Sequence, residues 1–155
     1  LALLCALARD PLLRATASAV LPMRAGQELL RSSMTDAITL VTEGRMNPST
    51  TDKVARNAGS SWTQSGHLEG RVRKMRRFVQ PTPPAVAFSL WLGFIQGFAG
   101  EDLLKTAFAG TLDTGPSDLL DLALRAKQFG LIHVLVGGGV IEIDPSGLDP
   151  AEKRS

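Results

Sequence analysis

Apolar and polar positions along this chain repeat at two periods, and the change from one to the other marks out its elements. Leu1 to Ala8 and Leu12 to Leu21 are apolar enough for short helices, parted by Asp10-Pro11, where Asp10 can cap and Pro11 suits a first helical turn. From Gln27 to Glu43 the residues Leu29, Leu30, Met34, Ala37, Ile38 and Val41 recur at helical spacing, and Gly44 follows as a stop. "MNPSTTD" then reads as a turn whose Ser49 or Thr50 caps a new helix running to about Ser65, with Val54, Ala55, Ala58 and Trp62 as its apolar face and Gly66 as its end. After Gly66 the period moves from 3.6 toward 2. The stretch "HLEGRVRKMRRFVQ" has Gly70 at a possible reversal and Val72, Phe78 and Val79 as strand-compatible positions, so a strand or hairpin is expected over the helix that its arginines would also tolerate.

"PTPPAVAF" holds the chain extended before the most apolar run, Ala85 to Ala99, which predicts a core helix. That run has 15 residues and includes Ser89, Gln96 and two glycines. A spanning helix needs about 20 apolar residues, so no membrane contact is expected. A short helix from Glu101 to Phe108 follows, then a turn at "GTLDTGP" and a helix from Ser117 to Phe129. Two strands, Ile132 to Val136 and Val140 to Ile143, are joined through Gly137, Gly138 and Gly139. Three helices and a hairpin are the order of a winged helix-turn-helix, and the first half ends in the same way. The expected fold class is mainly α with small β-hairpins, in two tandem winged-helix-like units. Residues 1–80 form an N-terminal helical unit ending in the basic segment, and residues 81–155 form the second unit.

Charge sharpens this division. Over the 155 residues the net charge is only +2, yet residues 1–80 hold twelve Lys and Arg against six Asp and Glu, a surplus of six positive charges, while residues 81–155 carry a deficit of four. A local positive field attracts phosphates whatever the total charge. Its densest part is "RVRKMRR", with Arg71, Arg73, Lys74, Arg76 and Arg77. On the preceding helix, Lys53, Arg56, Asn57, Ser60 and Gln64 fall opposite the apolar face at spacings of three and four. Arg, Asn and Gln can contact base edges bidentately, and Lys and Ser suit phosphates. A basic wing beside such a face would place phosphate contacts where a helix lying in the major groove needs them. The second unit opens its last helix with Asp118 and Asp121, which repel phosphate and are only partly offset by Arg125 and Lys127. That unit is expected to pack against the rest of the protein or to pair with another protein, more than to hold DNA.

Enzymatic chemistry finds no constellation. His67 falls in a turn, and His133 falls in an apolar strand as an expected structural histidine. No nucleophile elbow, paired zinc histidines or phosphate-binding loop is present. Gly93 and Gly97 suit close packing in a soluble core, and Asp113, Asp118 and Asp121 suit turns and helix starts better than metal sites. Cys5 stands alone, expected as a small buried hydrophobe in a reducing cytoplasm. No cofactor is expected.

The run "STTDKVARNAGSSWTQSGHLEGRVRKMRRFVQPTPPAVAFSLWLGFIQGFAGEDLL", with the later "LDLALRAKQFGLIHVLVGGGVIEID", resembles the BrxA family of the BREX bacteriophage-exclusion systems. The likeness runs from about Leu12 to Ile143 and is most specific at Trp62, Gln64 to Leu68, Pro81 to Pro84 and Gly130 to Ile143. It implies a small, mostly helical protein with winged-helix-like units that binds double-stranded DNA and serves other proteins of a phage-defence system. It also implies further sequence ahead of Leu1, where the opening residues read as a helix cut short. Two alternatives stay open: a module that docks an acidic protein partner, and a transcriptional regulator.

Overall fold

The computed structural model describes residues 1–154 and is mainly α-helical, with eight α-helices and two antiparallel β-hairpins among those residues. The chain separates into two compact units, one of Ala2–Val79 and the other beginning at Gln80.

The first unit comprises α1 (Ala2–Arg9), α2 (Pro11–Ala15), α3 (Ala17–Val20), α4 (Arg31–Thr42), α5 (Pro48–Gln64), β1 (Leu68–Glu69) and β2 (Met75–Arg76). Asp10 caps α2 as expected, its carboxylate accepting from the Leu12 and Leu13 amides at 2.9 and 3.1 Å. The single helix expected from Leu12 to Leu21 is instead broken at Thr16. The Thr16 hydroxyl donates to the Leu13 carbonyl and accepts from the Trp62 indole N–H at 2.8 Å, all within the core. A hydroxyl bonded back to the previous turn competes with the helix ladder, and here it also satisfies the largest fully buried side chain of the unit. Leu4, Leu7, Leu13, Val20, Met23, Met34, Ile38, Ala55, Ala58 and Leu68 make up the rest of the buried apolar core. Cys5 is exposed, contrary to expectation, because α1 turns Leu4 and Leu7 inward, three residues apart, and leaves Cys5 off that line.

Helix α4 starts four residues later than its pattern suggested. The segment before it is extended and pairs with β2: the Gly26 and Leu29 amides donate to the Arg76 and Lys74 carbonyls, and the Arg76 amide donates to Gln27, each at 2.8 Å. Met34 and Ile38 are buried as expected, but Leu30 and Val41 are exposed. Helix α5 starts at Pro48, whose missing N–H is harmless in a first turn, and its cap is Asn47, which accepts from the Ser49 amide at 2.8 Å. The expected caps, Ser49 and Thr50, lie inside the helix. Val54 is only half-buried, whereas Thr51 and Gly59 join Ala55, Ala58 and Trp62 on the inner face. The basic segment forms a hairpin and not a helix, pairing Leu68 with Arg76 and Glu69 with Met75.

The second unit comprises α6 (Pro83–Ile95), a 3₁₀ turn (Gly100–Lys105), α7 (Ala107–Gly110), α8 (Pro116–Gln128), β3 (His133–Gly137) and β4 (Val140–Asp144). The short helix expected from Glu101 to Phe108 is split at Thr106, which is extended and caps α7 by accepting from the Ala109 amide. Gly93 serves close packing, since a Cβ there would meet Thr106 Cγ2 at 2.9 Å. Gly97 does not: it has open space around it and a φ of +95°, so it turns the chain out of α6. His133 is exposed, not buried, because the alternation of β3 sends Ile132 and Val134 inward. No helix among the described residues is long and apolar enough to cross a membrane.

Candidate nucleic-acid interface

Burial of Thr51, Ala55, Ala58 and Trp62 fixes the rotation of α5, and the opposite face then follows from the helical period. Lys53, Arg56, Asn57, Ser60 and Gln64 are all exposed, in one stripe. Neither Lys53 nor Arg56 has an ion-pair partner among the described residues. Asp52 lies to the side of the stripe and is held by Arg31 of α4 at 3.2 Å. Ser60 donates to the Arg56 carbonyl one turn earlier.

The hairpin divides its five cations among four environments. Arg71 is exposed in the turn, without a carboxylate among the described residues. Lys74 lies along α5: its stem passes Gly59 and its ammonium donates to Thr63 Oγ1 at 3.0 Å and to the Gly70 carbonyl at 3.3 Å. Arg73 meets Glu28 end-on, Nε to Oε1 at 3.0 Å and Nη2 to Oε2 at 2.6 Å. This hydrogen bonding holds the Glu28 carboxyl below its ordinary range and raises the Arg73 guanidinium further. Arg77 is exposed and donates to Glu69 at 2.6 Å.

Arg76 corrects the sequence reading. It is fully buried and cannot reach a phosphate. Its Nε donates to the Val20 carbonyl at the end of α3 at 3.0 Å, its Nη1 donates to the His67 and Arg77 carbonyls, and its guanidinium lies over the Phe78 ring at 5.0 Å. The reason is its place in the sheet: opposite Leu68, which faces the core, Arg76 faces the core too. His67, beside it, is also buried, packed edge-on to Trp62 at 5.0 Å and hydrogen-bonded through Nδ1 to Ser65.

Sequence reasoning missed Glu28 and Glu69 as holders of two of these arginines, and Thr63 as the anchor of Lys74. Hairpin register could have suggested Glu69, because an eight-residue separation returns across a short turn. Nothing local signals Glu28, which lies 45 residues from Arg73. Across the second unit, Asp118, Asp121, Arg125 and Lys127 are all exposed on α8, with the negative charges toward its start and the positive charges in its last turn.

Comparison with protein-family models, with curated proteins and with solved structures finds no match for this chain.

Proposed function

We propose that this chain is a non-enzymatic, cytoplasmic DNA-binding protein that holds duplex DNA through its first unit. In keeping with the BrxA resemblance, it acts as an accessory component of a multi-protein phage-defence system. The observation that carries this reading is the α5 stripe, where Lys53 and Arg56 stand exposed and unpaired beside Asn57, Ser60 and Gln64, with Lys74 fastened to the same helix. The order of elements supports it as well. Helices, an extended segment, two helices and a hairpin follow one another, and the extended segment pairs with the second hairpin strand, as winged-helix DNA-binding units are built. Phosphate contact then falls chiefly to Lys53, Arg56, Arg71 and Lys74, with Arg73 and Arg77 reaching phosphate only by leaving a carboxylate.

The test is duplex binding across a salt series. Replacing Lys53, Arg56 and Arg71 together by Ala should weaken binding and flatten the dependence of log affinity on log salt by about 0.9 per lost contact. The pair Arg125→Ala and Lys127→Ala should change neither. Unchanged affinity and slope in the triple variant would remove this face from the interface.

A protein partner is favoured for the second unit by its hairpin, where Leu135, Val136 and Val140 are 62%, 56% and 66% exposed. Isolated apolar residues on a surface are ordinary, but three on one hairpin suit contact with another protein of the system.

A further inference from the structure

The first unit's charge is less available than its composition suggests, and what remains free is chemically mixed. Of the hairpin cations, one is buried, two are paired with carboxylates and one is tethered to α5. On α5 the exposed stripe contains three neutral side chains between and beyond its two cations. A surface that only neutralises phosphates gains nothing from neutral amides, since counterion release depends on charge. The Asn57 and Gln64 side chains make no hydrogen bond among the described residues; the Ser61 hydroxyl meets only the backbone carbonyl of Asn57. Each amide therefore presents a donor and an acceptor side by side, the pattern that matches the adenine edge in the major groove.

Resting on the DNA reading above, we infer that α5 reads base sequence, with Asn57 and Gln64 each pairing with an adenine edge. The spacing makes the claim specific. Asn57 and Gln64 are seven residues apart on one line of the helix, about 10 Å at 1.5 Å per residue. At about 3.4 Å per base step, that separates the two adenines by about three base pairs. A major groove about 12 Å wide admits a helix lying along it.

The experiment is selection by the full chain from a pool of duplexes with a randomised centre, at about 0.15 M salt, followed by binding of the selected duplex and its single-base variants. The expected result is an enriched motif with two adenines about three base pairs apart. Asn57→Ala and Gln64→Ala should each flatten preference at one of those adenines, a loss of about 5- to 150-fold in discrimination. Both positions are exposed, and an unchanged tryptophan fluorescence spectrum would show that the variants fold. A retained pool without an enriched base, or a motif that survives both substitutions, overturns base reading and leaves DNA binding standing. A pool that is not retained at all overturns both.

Discussion

The two hairpins follow similar helices and are held in opposite ways. In the second, five-residue strands form a continuous ladder from His133–Asp144 to Gly137–Val140, closed by Gly138 and Gly139 at φ +57° and +76°. Such a two-residue turn matches the natural twist of paired strands. In the first, the strands are two residues each, too short for a ladder to hold. Backbone bonds from Gly26 to Leu29 hold β2 on one edge, and side chains do the rest: Arg76 runs into the core, Arg73 clasps Glu28, Arg77 clasps Glu69, and Lys74 lies along α5. The difference teaches that a dense run of cations is not simply a dense surface charge. In this hairpin much of the charge does the work that backbone pairing does in the other.

That contrast can be broken or sharpened by substitution. The largest effect is expected from Arg76→Ala, which leaves buried carbonyls of Val20 and His67 without that donor and opens space beside Leu68; it should cost about 3 kcal/mol in urea unfolding. Glu142→Ala, at an exposed position of the ladder, should stay within about 0.5 kcal/mol. Equal losses would refute the division between side-chain and backbone anchoring.

Next come the turn glycines. At Gly70, φ is +111° and a Cβ would stand 2.0 Å from the Arg73 carbonyl oxygen, so Gly70→Ala should cost about 2 to 3 kcal/mol by the same measurement. Gly138 has open space around it, so Gly138→Ala should lose only the left-handed preference, about 1 kcal/mol.

The smallest effect concerns two carboxylates whose pKa values are lowered on folding: Glu28 by the hydrogen bond from Arg73, and Asp144 by hydrogen bonds from the Ser146 side chain and backbone. A carboxyl depressed in the folded state contributes stability above its unfolded pKa and loses it as pH falls through the folded value. The unfolding midpoint should therefore separate wild type from Glu28→Gln near neutral pH, and the gap should close on acidification. Glu28 is exposed to screening, so salt should narrow its gap; the corresponding gap for Asp144→Asn should resist salt. A Glu28 gap that widens toward acid would contradict the assigned pair.

The helices were legible where local chemistry sufficed. The spacing of Ala55, Ala58 and Trp62 settles the inner face of α5, and with it the exposed stripe opposite. The ladder of the second hairpin was legible too, to within a residue at each end, from its apolar runs and the glycines between them. What could not be read depends on distant partners. Thr16 breaks its helix while bonded to Trp62, 46 residues away. Gln27 to Leu29 have helical spacing but pair with β2 because that edge is open to them. Arg76 looks like its neighbours in a charge count, and only the register opposite Leu68 turns it inward. In a strand of two residues there is no alternation from which to read that direction.

The anchors of the first hairpin also bear on the order in which the molecule assembles. Arg76 and Val20 are 56 residues apart, and Arg73 and Glu28 are 45 apart, whereas β3 and β4 are joined by two residues. Contacts that close long loops form late, after their entropic cost has been offset by other structure. The second hairpin is expected to form early as a local unit, and the first only with its unit's core. A peptide cut from Ser65 to Gln80 would carry every one of these cations and still lack the ordered strip, because the groups that shape it lie upstream in the chain.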